Sequence, residues 1–259
     1  MDPSFPGFGA TRAFTVWAAS GLPLRHVDCD TLGPMDISQD AVELIIAWEV
    51  AGGDYPAARR QYEARYHRPS WPGNEASGLT IGIGYDLRHQ GAHFEGDWKA
   101  RLRALPARNA YERLAAWINR GGSTAAERNT SDISIPWEDA ISVYRVRTLP
   151  RYIQMTREAF PGVDTMHPHV FGALTSLIYN CGPGTKNKPA KQRAYAAIRE
   201  AVDRQDVPGV AAGIREVKKH HAGHPLERGL NRRRESEANL VMRAAYEAGA
   251  IAQPNVSVG

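Results

Sequence analysis

Apolar residues recur at helical spacing in several stretches of the chain. In QDAVELIIAWEVA (39–51), Val42, Ile45 and Ile46 form one stripe. Ser38 before them is a capping residue, Asp40 suits the positive end of a helix, and Gly52-Gly53 closes the segment. The pattern predicts a helix whose stripe, seven residues after Val42, arrives at Glu49. A carboxylate on an apolar face is out of place. IPWEDAISVYRV (135–146) predicts a second helix, with Pro136, Glu138 and Asp139 in its first turn. HPHVFGALTSLIYNCGPG (167–184) carries Val170, Ala173, Leu174, Leu177, Ile178 and Cys181 at the same spacing and stops at Gly182-Pro183-Gly184, as a central buried helix would. Further helices are predicted over about 190–204 and 231–248.

One stretch follows a different rhythm. In SGLTIGIGYDLRH (77–89), Leu79, Ile81, Ile83 and Tyr85 alternate with Thr80, Gly82, Gly84 and Asp86. Period-two alternation predicts a strand with an apolar inner face and a polar, glycine-bearing outer face. Glycine there suggests bare backbone that a ligand approaches. Helices around one small sheet with a hairpin make an α+β domain, predicted over 38–259. Residues 1–37, rich in Gly and Pro without periodicity, read as an arm packed on that domain. Residues 54–76 read as a loop, whose Tyr55, Tyr62, Tyr66 and Trp71 are expected to pack it down more than to stack on sugars.

Composition narrows the class. Hydrophobic residues at 42% and charged residues at 23% of 259 fit a soluble globular protein, and no apolar run reaches membrane-spanning length. Asp2, two early prolines and the lack of a basic first segment argue against a standard secretory signal. Cys29 and Cys181 make no disulfide framework, and Cys181 is expected as a buried free thiol. A net charge of +4 suits a polyanionic partner or simply a basic solvated surface. The basic run Lys186 to Arg193 has little aromatic interleaving, which favours an acidic polymer over nucleic acid. His220 and His224 stand four apart, but no HExxH or third ligand accompanies them, so no metal is expected. Nor is a cofactor.

The order of these features resembles the phage-type lysozymes, including the T-even phage enzymes. The resemblance rests on the helix ending in Glu49, the TIGIG run, IPWEDAISVY, ALTSLIYNCGPG and GLNRRRESEANL, the last similar to the family's Gly-Leu-x-Asn-Arg-Arg-x-x-Glu. It spans roughly 38–245. It implies a lysozyme-like, mostly helical fold and a muramidase that cleaves the β-1,4 bond between N-acetylmuramic acid and N-acetylglucosamine. By the resemblance, Glu49 is the general acid and Thr80 positions the attacking water. Arg232 pairs with the catalytic glutamate, and Asn180 meets an N-acetyl group. Gly82 and Gly84 let the glycan approach.

Glycosidic hydrolysis requires a second group across the bond. The T-even enzymes carry an aspartate six residues before the threonine, where this chain has Asn74. Asp86, six residues after Thr80, is the favoured second carboxylate, as in pesticin-like muramidases; Glu75 and Asp54 are alternatives. The different-class reading is an inactive peptidoglycan-binding or partner-binding module on the same scaffold; a lytic transglycosylase is the other. The resemblance implies peptidoglycan as substrate and action in the periplasm or wall of a target or host bacterium. The role is that of an antibacterial effector, with an immunity protein as possible partner, or of a phage lysis enzyme.

Overall fold

The computed structural model describes residues 36–73 and 76–249, with the backbone of 16–17 and 23–24. The chain divides into two units, Met1–Met35 and Asp36–Gly259. In the first, β1 (Val16–Trp17) pairs antiparallel with β2 (Pro23–Leu24), Val16 opposite Leu24. The expected packing of the arm lies outside the described residues.

The second unit is mostly helical with one small antiparallel sheet, the α+β class the patterns predict. Helix α1 (Gln39–Val50) starts where Ser38 accepts a hydrogen bond from the Ala41 N–H at 3.2 Å, and Val42, Ile45 and Ile46 are fully buried. Three short helical pieces follow: a 3-10 turn (Tyr55–Ala57) leading into α2 (Ala58–Gln61), then a π turn (Tyr62–Tyr66). The expected loop is therefore partly helical. It lacks an apolar stripe because it docks mainly through Tyr62, which is buried, donates to the Ile135 carbonyl at 3.0 Å and meets the Trp137 ring edge-on at 5.4 Å.

The glycine-rich stretch is a tight hairpin and not one continuous strand. β3 (Thr80–Ile81) pairs with β4 (Tyr85–Asp86), Thr80 opposite Asp86 and Ile81 opposite Tyr85, around a turn at Gly82-Ile83-Gly84. Gly82 and Gly84 have φ of +57° and +64°, which side-chain-bearing residues resist, so the turn requires them. The alternation itself holds: Leu79, Ile81, Ile83 and Tyr85 are buried.

Then come α3 (Leu87–Gln90), α4 (Phe94–Ala104), α5 (Ala110–Ala115), α6 (Thr124–Thr130), α7 (Trp137–Val143) and α8 (Leu149–Ala159). Helix α9 (Pro168–Cys181) is buried at every residue from His169 to Tyr179 and forms the centre of the unit. It is followed by α10 (Pro189–Asp203), α11 (Val207–Glu216) and α12 (Glu227–Glu247). Pro208 and Gly209 hide α11 from a pattern search, although Asp206 caps it by accepting from the Gly209 N–H at 2.9 Å. α1, α8, α11 and α12 pack around α9.

Candidate active site

Glu49 sits one residue before the end of α1, its side chain 17% exposed, and its carboxylate accepts from Arg233 of α12 at 2.7 Å. Arg233 is 5% exposed and also donates to Glu237 at 3.3 Å and to the hydroxyl and carbonyl of Ser176 on α9. Glu237 is fully buried and accepts from Arg234 at 2.7 Å and from the Ser176 hydroxyl at 2.6 Å. Two guanidiniums thus face two carboxylates. Burial pulls the Arg233 pKa down, but Glu49 and Glu237 together leave it raised.

The pairing expected of Arg232 is therefore made by Arg233. Consecutive helical residues differ by about 100°, so a one-residue offset turns the side chain away. Arg232 is exposed, its guanidinium 5.8 Å from the Trp48 ring. The signal was in the sequence: counted from Gly229-Leu230, the Gly-Leu-x-Asn-Arg-Arg-x-x-Glu pattern places its two arginines at Arg233 and Arg234 and its glutamate at Glu237.

The hairpin turn reaches Glu49. A Cβ built on Gly84 would lie 2.6 Å from Glu49 Oε2 and 3.3 Å from the Tyr179 ring. One on Gly82 would lie 2.9 Å from Trp98. The space the missing side chains leave is taken by Glu49 and Trp98, not left open for a glycan, which corrects the expectation for both glycines. Tyr179 fixes the turn by donating to the Ile83 carbonyl at 2.6 Å. Around Glu49, burial and then the Glu49 charge push the phenols of Tyr144 and Tyr179 well above their ordinary range.

Thr80 is half-buried, and its hydroxyl has no hydrogen-bond partner among the described residues. Asp86 stands opposite it, 18% exposed, and works as a cap: Oδ1 accepts from the Arg88 N–H at 2.8 Å, and both oxygens share the Gly78 N–H at 3.0 Å. That leaves Oδ2 with open acceptor capacity. Asp54 is exposed, with no capping hydrogen bond; Asn74 and Glu75 lie outside the described residues. Asn180 is exposed near the end of α9.

Beyond Asn180, Cys181 is half-buried, less covered than its stripe position predicts, because it lies in the last turn of α9. Its sulfur accepts from Arg234 at 2.9 Å. Lys191, read in sequence as part of a surface-tracking basic run, is buried instead. Its ammonium donates to the carbonyls of Cys181, Gly182 and Gly184 at 2.6, 2.8 and 2.6 Å, closing the carbonyl end of α9. Burial pulls its pKa down to about 8.

Among the described residues the group with metal-like spacing is His167, His169 and Glu247, not the His220/His224 pair. His167 Nδ1 accepts from the His169 N–H at 3.1 Å, so the neutral ring carries its proton on Nε2, the atom facing Glu247 at 3.6 Å. Those contacts, with His169 Nε2 3.3 Å from Glu247, clasp the start of α9 to the end of α12.

Residues 109–237 match the family model described as phage lysozyme, a span that includes α7, α9 and the arginines and glutamate of the buried network but not Glu49, Thr80 or Asp86. No curated protein matches the chain. Among the described residues no helix is long and apolar enough to cross a membrane. The helical unit built around α9, its α12 arginines turned inward, and the matched span agree on one assignment: the chain belongs to the phage-type lysozyme family.

Proposed function

We propose that the protein hydrolyses the β-1,4 bond between N-acetylmuramic acid and N-acetylglucosamine, the finer form of the muramidase-like peptidoglycan hydrolysis its family implies. One observation carries the reading. Glu49 is held by a buried arginine against the hairpin turn that follows the open Thr80 hydroxyl. Glu49 protonates the leaving glycosidic oxygen, and Arg233 then stabilises the carboxylate it becomes. Thr80 orients the water that attacks the anomeric carbon. Asp86 receives that water's proton through Oδ2 and sets a fixed negative charge beside the oxocarbenium-like transition state. Direct attack by water inverts the anomeric configuration. Inversion implies carboxyl groups ~6.5–9.5 Å apart, and retention through a glycosyl-enzyme ~5–5.5 Å.

The net charge of +4 suits a wall polymer bearing carboxylates and phosphates. We assign the site of action to the periplasm or wall of a target or host bacterium, as an antibacterial effector with an immunity protein or as a phage lysis enzyme. The test compares wild type with Glu49→Gln on purified sacculi, products read by mass spectrometry. Reducing-end muropeptides from wild type and none from the variant are expected. Equal release by both would end the reading. Anhydro ends would make the protein a lytic transglycosylase, and wall binding without release a binding module.

A further inference from the structure

We propose that Tyr152 is a further catalytic residue, whose hydroxyl shares the attacking water with Thr80 and passes that water's proton to Asp86. The proposal rests on the hydrolase reading above.

Placement comes first. The Tyr152 ring lies against Tyr179, centroids 4.3 Å apart at 40°. Tyr179 is itself held by its hydrogen bond to Ile83 and by the edge of Tyr144 at 6.0 Å. The Tyr179 carbon 3.3 Å from the point where a Gly84 Cβ would stand shares that point with Glu49 Oε2 at 2.6 Å. Tyr152 is thus one ring away from the general acid. Its backbone is anchored on α8: the adjacent Arg151 grips Asp97 with two hydrogen bonds of 3.1 and 2.6 Å, and the Tyr152 carbonyl accepts from Thr156 at 2.7 Å.

The hydroxyl sets this tyrosine apart from the five buried ones. Tyr62, Tyr85, Tyr179 and Tyr195 each donate to a backbone carbonyl, and Tyr144 is enclosed. Tyr152 is half-buried, and its hydroxyl has no hydrogen-bond partner among the described residues. A phenol that keeps its ring packed and its polar tip unused is suited to a ligand. Burial and then the Glu49 charge push its ionisation up to about 12 against the opposing Arg151 cation, with Asp86 adding the smallest push, so it stays a neutral group able to donate and accept at once. Both carboxylates bear on that one phenol.

Asp86 explains the need. Its carboxylate is turned toward the amides of Gly78 and Arg88, which shortens its reach into the cleft. A hydroxyl spanning the remainder completes the step. The water oxygen bonds to the anomeric carbon as the glycosidic C–O bond breaks. The leaving oxygen takes the Glu49 proton. The water's proton goes to the Tyr152 oxygen while the phenol's own proton goes to Asp86 Oδ2.

Tyr152→Phe keeps the ring and removes only the hydroxyl. Reducing-end release from sacculi should show kcat lowered ~10- to 100-fold, the value of one charge-assisted hydrogen bond made in the transition state. KM should stay within about twofold and the melting temperature unchanged, because the lost group has no protein partner. Wild-type kcat in the variant would overturn the proposal, as would a loss confined to KM or one tracking a lowered melting temperature. Wild type that releases no reducing ends would instead overturn the hydrolase reading, and this assignment with it.

Discussion

Replacing Arg233 with methionine should destabilise the protein by about 3 kcal/mol at neutral pH. Methionine retains much of the aliphatic stem, so the change is mainly the loss of the guanidinium. Gone are the hydrogen bonds to Glu49 at 2.7 Å, Glu237 at 3.3 Å and both oxygens of Ser176. Glu237 keeps Arg234 and the Ser176 hydroxyl, so its charge stays matched. Glu49 loses the ion pair it makes. Breaking a buried pair from one side costs ~3–5 kcal/mol. The 17% exposure of Glu49 lets water return some of that, which favours the low end. Three kcal/mol is about two decades in the folding equilibrium and, for a domain of this size, a melting temperature lower by ~6–12 °C. Denaturation followed by circular dichroism measures it. Combining the change with Glu49→Gln should recover ~1–3 kcal/mol relative to the sum of the single changes. Arg232→Met, on the exposed neighbour, should stay within ~0.5 kcal/mol of wild type. Equal losses at 232 and 233, or additivity in the double variant, would refute the pairing.

Gly84→Ala puts a methyl group 2.6 Å from Glu49 Oε2 on a backbone at φ +64°. The left-handed strain costs ~1–2 kcal/mol, but muropeptide release should fall at least ~10-fold even where the variant is fully folded; full activity would remove the turn from the site. His221 is buried, and burial pulls its pKa from 6.5 to about 4. The unfolded chain takes a proton near pH 6.5 that the folded protein refuses. Stability from this residue is therefore full above pH 6.5 and lost as pH falls toward 4, up to ~3 kcal/mol. In a pH series of melts, His221→Gln should flatten that slope. An unchanged slope would place the acid sensitivity elsewhere.

What could be read from the chain alone was whatever announces itself locally. α1 carried its cap, its stripe and its glycine stop, and Glu49 was conspicuous because it broke the stripe. α9 was apolar enough to be recognised as central. The hairpin misled because alternation describes the buried residues correctly on either side of a turn. Only the positive φ of Gly82 and Gly84 separates a folded-back ribbon from a straight one. The segment at 54–66 escaped because one tyrosine does most of its docking.

The arginine register failed for a more instructive reason. α12 has three arginines in a row, with a lone Leu230 before them and Ala238 after them, too short an apolar stripe to say which faces inward without counting the register from Gly229-Leu230. Stepping back from buried Val241 in fours gives Glu237 and then Arg233, so the inward face continues through charged residues where a search for apolar ones stops. Buried ion pairs are a poor source of stability, since well-packed apolar residues of similar volume often do as well or better. Two inward arginines and a buried glutamate behind one half-exposed carboxylate are therefore hard to explain as core packing. They make sense as a mount. Arg234 and Ser176 hold Glu237, Glu237 holds Arg233, and Arg233 fixes the angle at which Glu49 meets the hairpin turn. On this account the departure from apolar patterning in α12 and the one in α1 are a single feature seen from two helices.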